Sequence, residues 1–288
     1  MNAEPDPGLD AESDPGLNAR LAELALDVAQ SAGRLIRERR GSGVTVAATK
    51  SSETDVVTET DREVEELIRS LLGEARPGDG LLGEEGHDEP GATGVRWIVD
   101  PIDGTVNFLY GIPQYAVSVA AERDGVVVAG VVLDVARETV YVGRRETGPD
   151  GRVTVTAHRD GSPIAVRPPA PLSHRLIGTG FSYEARIRAI QADAVGLLLP
   201  QVRDIRRFGS CALDLCHVAE GLLDGYVEEG VNVWDHAAGA LIAEGAGARS
   251  ELATGAGGQE LLLCAPEHGF DEFRKAVEAA GFLADQGE

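Results

Sequence analysis

WIVDPIDGTVNF, residues 97–108, joins an apolar run to two closely spaced carboxylates. Trp97, Ile98 and Val99 read as the end of a buried strand, after which Asp100 and Asp103 bracket Pro101 and Ile102. Strand side chains alternate between faces, so positions three apart would point opposite ways if the strand ran on. Pro101 lacks an N–H and biases Asp100 toward an extended conformation. The strand is therefore expected to end, with a turn after Asp100 bringing both carboxylates and the Ile102 carbonyl round one point. Gly104 permits close backbone approach. Thr105 offers a hydroxyl at a helix or turn N-terminus, where free N–H groups suit an anion. A plain turn would use the same residues, since Asp and Gly are common turn formers.

Other acids occupy similar places. Glu84 follows the apolar step Leu81–Leu82 much as Asp100 follows its strand, and Asp235 stands at a helix start after Val233 and Trp234. Alone, Asp235 reads as an N-cap. Four acids, each at the mouth of an element, point instead to a hard-cation site, because Mg²⁺ takes oxygen ligands and keeps waters. An EF-hand loop is excluded: it needs alternate oxygen ligands and a glutamate at its twelfth position, which here is Gly111. A strand-end aspartyl nucleophile of the DxDGT type is excluded by the one extra residue in DPIDG.

Outward from this stretch, the pattern alternates between helices and strands. Leu21, Leu24, Ala25, Val28, Leu35 and Ile36 recur at helical spacing up to ERRGSG. Thr60 and Glu63 stand in capping-box spacing before Val64, Leu67, Ile68 and Leu71, which predicts a second helix with Asp61 at its start. YAVSVAAE, VVVAGVVLD and TVYVG predict an antiparallel meander over 115–142. Residues 143–171 read as loops and short strands. Beyond them come a strand LIGTG, a helix near 187–199, and a helix from Ser210 with Ala212, Leu215, Ala219, Leu222 and Leu223 on its buried face. A strand GYVEE and helices over 234–245 and 270–280 complete the pattern. There is no strict βαβ alternation, so a layered α+β fold with mixed sheets is expected. Residues 1–17, with DPGLDA and DPGLNA, are expected to form a disordered acidic tail ahead of one domain over 18–288, with halves 18–171 and 172–288.

The chain has 288 residues, 43% of them apolar, enough for a substantial core. Three cysteines, Cys211, Cys216 and Cys264, contain no C-x-x-C pair and are expected to be buried and reduced. With 48 acids against 26 bases the formal net charge is −22, which disfavours nucleic acid and anionic membranes as partners while leaving divalent cations welcome. No apolar run of about 18 residues is present and the N-terminus lacks a signal pattern, so a cytoplasmic location is expected.

The sequence resembles the inositol monophosphatase family of Mg²⁺-dependent, lithium-sensitive phosphatases. The resemblance is carried by Gly83–Glu85 (GEE), WIVDPIDGTVNF, and WDHAAGALIAEGAGA from Trp234, supported by KSSETDVVTETD over 50–61 and GSCALDLC over 209–216. It implies an αβαβα layered sandwich of the inositol monophosphatase/fructose bisphosphatase type. By the same resemblance Glu84, Asp100 and the Ile102 carbonyl hold a first metal, Asp100, Asp103 and Asp235 a second, and a weaker third ion sits near Glu84. Thr105 pairs with Glu84 to activate water, with Asp61 behind it. Gly104 and Thr105 N–H groups receive phosphate, while Asp103, Cys211 and Glu228 meet the alcohol. Cys211 stands where the family usually has alanine. His236 reads as a packing residue, and Lys50 steers phosphate or solvates its loop. The resemblance further implies two to three Mg²⁺ per subunit, a homodimer, and a phosphorylated polyol such as myo-inositol 1-phosphate as substrate. The alternatives are an amino alcohol ester such as histidinol phosphate, or a non-catalytic regulatory protein.

Overall fold

The computed structural model describes residues 16–42, 46–49, 56–86 and 88–284. The expected tail up to residue 15 and the loop segment from Lys50 to residue 55 lie outside the described residues. Among those described, seven helices and three sheets form. A small sheet pairs β1 (Val46–Thr49) with β2 (Val56–Thr58). The large sheet orders β3 (Gly80–Gly83), β4 (Val95–Asp103), β5 (Ala116–Arg123), β6 (Val126–Asp134), β7 (Thr139–Thr147), β8 (Val153–Arg159) and β9 (Ser162–Pro163) in sequence. The third sheet contains β10 (Leu176–Thr179), β11 (Asp204–Arg206), β12 (Gly225–Glu229), β13 (Ala248–Thr254) and β14 (Glu260–Pro266), in the spatial order β11-β10-β12-β14-β13.

The helices are α1 (Leu17–Ser42), α2 (Glu59–Ala75), α3 (Thr105–Tyr110), α4 (Ala185–Leu198), α5 (Cys211–Ala219), α6 (Val233–Gly245) and α7 (Phe270–Ala279). Period-2 burial on the strands divides the core in three. Leu21, Val28 and Ile36 of α1 and Val64 and Ile68 of α2 pack on Trp97, Val99 and Val119, one face of the large sheet. Ile98, Ala120 and Val132 on its other face pack with α5 and α6 and with Tyr226 and Leu262 of the third sheet. Val227 and Leu263 then bury the far face against Ala194 and Leu198 of α4 and Phe273 and Val277 of α7. The layers run α, β, α, β, α, as the resemblance implies.

Glycines set the spacing between the large sheet and α6. A Cβ on Gly130 would lie 2.9 Å from Ala238 Cα, and one on Gly143 would lie 2.9 Å from Ile242 N. The α6 backbone therefore rests directly on β6 and β7.

Three expectations need correction. β4 does not stop at Asp100. It continues to Asp103 through a bulge, in which Asp100 pairs with Ser118 and Asp103 with Ala116, three steps on one strand against two on the other. The N-cap of α2 is Thr58, whose capping-box partner is Asp61, so the box lies two residues earlier than Thr60 and Glu63. α5 ends at Ala219, leaving Leu222 exposed while Leu223 is buried. The polar stretch 143–171 does contain the expected short strands among loops, with β7 running on to Thr147 against β8. Polar residues on both faces of an edge hairpin remove the alternation that marks a half-buried strand.

Candidate active site

The site begins with register. β3 and β4 are parallel, with Gly83 opposite Val99, so Glu84, just past the end of β3, comes alongside Asp100 of β4. The β4 bulge supplies the second placement. Ile98 and Asp100 share the face toward α5 and α6, and Ile102 would follow them in a regular strand. The extra residue instead sends Ile102 into the core beneath α1 and α2 and returns Asp103 to the α5 side. Both carboxylates thus reach one face without a turn.

Each acid is fixed by a particular partner. Asp103 sits at the start of α5, accepting from Ser210 Oγ at 2.6 Å, Ala212 N at 2.7 Å and Cys211 N at 3.2 Å. This binds β4 to α5 and turns the Cys211 N–H toward Asp103. Asp100 Oδ1 accepts from Ile102 N at 3.0 Å. Asp235 is not the N-cap of α6 but its third residue, accepting from Asn232 N at 2.6 Å in a capping box. Asp61, fully buried, accepts from Thr58 N at 2.9 Å and from the Thr58 hydroxyl. The Thr105 hydroxyl lies 3.0 Å from Asp61 Oδ1 and 3.0 Å from the Ile102 carbonyl oxygen. It is held by Asp61 and Ile102. The turn at Gly104 has φ of +97°, open to glycine, and a Cβ there would lie 2.9 Å from Gln114 O.

These groups line one cavity of about 350 Å³ that includes Glu84, Asp100, Ile102, Asp103, Gly104 and Thr105. Cys211, Glu228 and Asp235 line its other walls. Asp61 stands behind Thr105. Every described residue expected to act is therefore at this cavity or in direct contact with a residue that is, while Lys50 lies outside the described residues.

The electrostatics are lopsided. Burial pushes the Asp100 carboxyl well above the usual carboxylate range, and Glu84, Asp103 and Asp235 raise it further by repulsion; a hydrogen bond to Glu84 adds to this. Burial raises Asp103 to about 7 against the opposing bonds from Ser210 and Ala212. Burial and Glu84 together raise Asp235 well above its usual value. Asp61 is raised by burial, with its Thr58 bonds opposing.

Among the described residues no three Asp, Glu, His or Cys side chains close into a ready-formed ligand sphere. The donors ring the cavity instead. Their chemistry nevertheless fits a hard divalent cation: all are oxygen, and their mutual repulsion is what such an ion relieves.

Several further residues take part at the site, of which Asn107 and Trp234 lie within the quoted motifs and Glu65, Arg207 and Asn232 carried no sequence signal. Glu65, buried on α2, accepts from Glu85 N at 2.8 Å and holds the turn that presents Glu84. Asn107 Nδ2 reaches the Phe208 and Gln114 carbonyl oxygens, both at 2.8 Å, tying α3 to the segment before α5. Arg207 lines the cavity, as do Asn232 and Trp234, whose buried Nε1 has no hydrogen-bond partner. His236 is buried, and burial lowers it to about 4, in keeping with a packing role. The three cysteines are free and buried, as expected.

Comparison with known proteins agrees with the geometry. The inositol monophosphatase family profile matches residues 17–282. "Inositol-1-monophosphatase SuhB" of Mycobacterium tuberculosis is 46% identical over 276 residues, covering 90% of this chain and 94% of that protein. A solved structure of Mycobacterium tuberculosis SuhB superposes with a TM-score of 0.74 at 42% identity, covering 92% of this chain and 98% of that one. "Nus factor SuhB" of Xylella fastidiosa is 36% identical over 228 residues, 78% of each chain. Family profile, relatives and layered architecture coincide: the chain belongs to the inositol monophosphatase family, whose members are phosphatases.

Proposed function

We propose that this protein is a Mg²⁺-dependent phosphomonoesterase that hydrolyses myo-inositol 1-phosphate or a close polyol phosphate with an activated water. The observation that carries this reading is the convergence of Glu84, Asp100, Asp103 and Asp235 on one cavity, where burial and repulsion raise the last three. A cluster of this kind is costly to a fold unless something positively charged occupies it. Glu84, Asp100, the Ile102 carbonyl, Asp103 and Asp235 would hold two to three cations. The cations, when bound, supply charge neutralisation of the phosphoryl oxygens and acidify a water.

The protein's own groups then divide the work. The Thr105 hydroxyl donates to Asp61 Oδ1, which leaves its lone pairs directed at a water shared with Glu84. The water's proton passes toward this pair as oxygen attacks phosphorus. The bond from phosphorus to the ester oxygen breaks, and the proton taken from the water returns through solvent to the departing alkoxide, so the alcohol leaves neutral and Glu84 is again a carboxylate. Gly104 and Thr105 N–H groups receive the phosphoryl oxygens. Glu228 holds a hydroxyl of the alcohol, its carboxylate accepting from the Tyr226 hydroxyl behind it. No cysteine or histidine nucleophile is needed.

The test is phosphate release from inositol 1-phosphate with and without Mg²⁺, for wild type and Asp100→Asn. Mg²⁺-dependent release that Asp100→Asn abolishes is expected. A folded wild type that releases nothing from a panel of small phosphate esters would favour the second reading, a regulatory binding protein, to which the name of the Xylella relative points. Retention of every acid in the cavity favours catalysis.

A further inference from the structure

The alcohol side of the cavity contains a cation that neither the resemblance nor the comparisons assign. Arg207 lines the cavity beside Glu228, Cys211 and Gly209, facing a lining otherwise rich in carboxylates. Its guanidinium lies against the bare Cα of Gly209: a Cβ there would come within 2.3 Å of Arg207 Nη1, and Gly209 has φ of +89°. A left-handed glycine is therefore required at this point both for the turn and for the approach. The segment is also anchored, since Asn107 Nδ2 reaches the carbonyl oxygens of Phe208 at 2.8 Å and Gly209 at 3.3 Å. The guanidinium acts electrostatically on two carboxyls, Glu228 at the cavity and Asp214 buried on α5.

We propose that Arg207 is a specificity residue of the alcohol subsite, which together with Glu228 selects polyhydroxylated leaving groups and rejects those bearing an ammonium. The inference rests on the phosphatase reading above and refines it. Glu228 alone would welcome either a hydroxyl or an amine. A guanidinium beside it changes that choice: it offers several N–H donors to vicinal hydroxyl oxygens, and it repels a positive charge in the same space. Glu228 accepts from a hydroxyl that Arg207 donates to. Such alternation suits a ring of neighbouring hydroxyls, each of which can donate on one side and accept on the other. Discrimination of this kind works by repulsion of the wrong substrate as much as by attraction of the right one.

The experiment compares kcat/KM for inositol 1-phosphate and histidinol phosphate in wild type, Arg207→Gln, Arg207→Glu and Arg207→Lys, with Mg²⁺ present. Expected is a ratio favouring inositol 1-phosphate in wild type that moves toward histidinol phosphate by about tenfold in Arg207→Gln and further in Arg207→Glu. Arg207→Lys keeps the charge and should retain most of the rejection of histidinol phosphate while losing rate on the polyol. An unchanged ratio across the series in active, folded variants overturns the proposal. So does a wild type that prefers histidinol phosphate. A wild type inactive on both esters and on every other small phosphate instead overturns the phosphatase reading itself.

Discussion

The Thr105 hydroxyl and Asp61 Oδ1 meet at 3.0 Å although 44 residues separate them in the chain. Asp61 is the capping-box partner in the first turn of α2 and Thr105 opens α3, so the contact ties two helix starts together immediately behind the cavity. A hydroxyl whose proton is committed to a buried carboxylate can only accept from what lies in front of it.

In the proposed mechanism that commitment would make Thr105 a positioning group for water. Thr105→Ala should lower kcat by about 10²- to 10⁴-fold, the range typical of positioned proton transfer, and should leave KM much less affected. Thr105→Ser, which keeps the hydroxyl, should recover most of the rate. Steady-state kinetics on the three proteins check this, and equal activity of Thr105→Ala and wild type would remove Thr105 from the mechanism.

The cavity carboxylates predict a linkage between pH, cation and stability. Folded Asp100, Asp103 and Asp235 all titrate above their unfolded values. Groups raised in this way stabilise the fold below the unfolded pKa, and that contribution is lost as pH rises through the folded pKa, which for Asp103 is about 7. Cation-free protein should therefore lose thermal stability between pH 4 and about 7, where ordinary carboxylates have already ionised. Mg²⁺ should reverse the loss, and its stabilising effect should be larger at pH 8 than at pH 5 because protons compete for the same oxygens. Melting curves with chelator and with Mg²⁺ at both pH values measure it; a Mg²⁺ shift independent of pH contradicts it.

The sequence shows the acids but not how they are aimed. Asp100, Asp103, Glu84 and Asp235 stand out because each follows an apolar run, and strand or helix periodicity locates those runs. The means of convergence is less visible. DPIDG reads as a turn, and only the neighbouring strand makes it a bulge, by placing one residue, Val117, opposite Pro101 and Ile102. Thr58 and Thr60 both precede an acid three positions later, Asp61 and Glu63, and the burial of Asp61 selects the first. Glu65 and Arg207 lie in stretches with no motif, and Asn107, though inside WIVDPIDGTVNF, has a role that, like theirs, arises from contacts between elements remote in sequence.

Close packing of α6 on the large sheet should make its glycines intolerant. Gly130→Val would drive side-chain atoms into Ala238 and should destabilise by about 1–3 kcal/mol, the usual cost of overpacking. Asp235 rides on the displaced helix, so activity should fall with stability. Gly196, within α4, has nothing within 4 Å of a built Cβ, and Gly196→Ala should instead stabilise by up to about 1 kcal/mol. Denaturant unfolding separates the two; a neutral Gly130→Val would mean that the sheet and α6 are not in rigid contact.

His236 adjoins Asp235 and invites assignment as a base, which the structure argues against. Its ring is buried, Nε2 has no hydrogen-bond partner and lies 3.8 Å from Glu260 Oε1, and burial lowers it to about 4. A ring that stays neutral and faces no water-activating group cannot supply a limb to the rate profile near neutrality. His236→Gln should keep kcat within about threefold of wild type, far from the 10²-fold or greater loss expected of a general base. Its signature should lie in stability. Between about pH 6.5 and 4 the unfolded imidazole binds a proton that the folded one refuses, so the wild type gives up stability as pH falls through this window. His236→Gln lacks that term. The melting temperature of the variant minus that of wild type should therefore rise as pH drops from 6.5 to 4, and a flat difference accompanied by a large loss of kcat would return His236 to the chemistry.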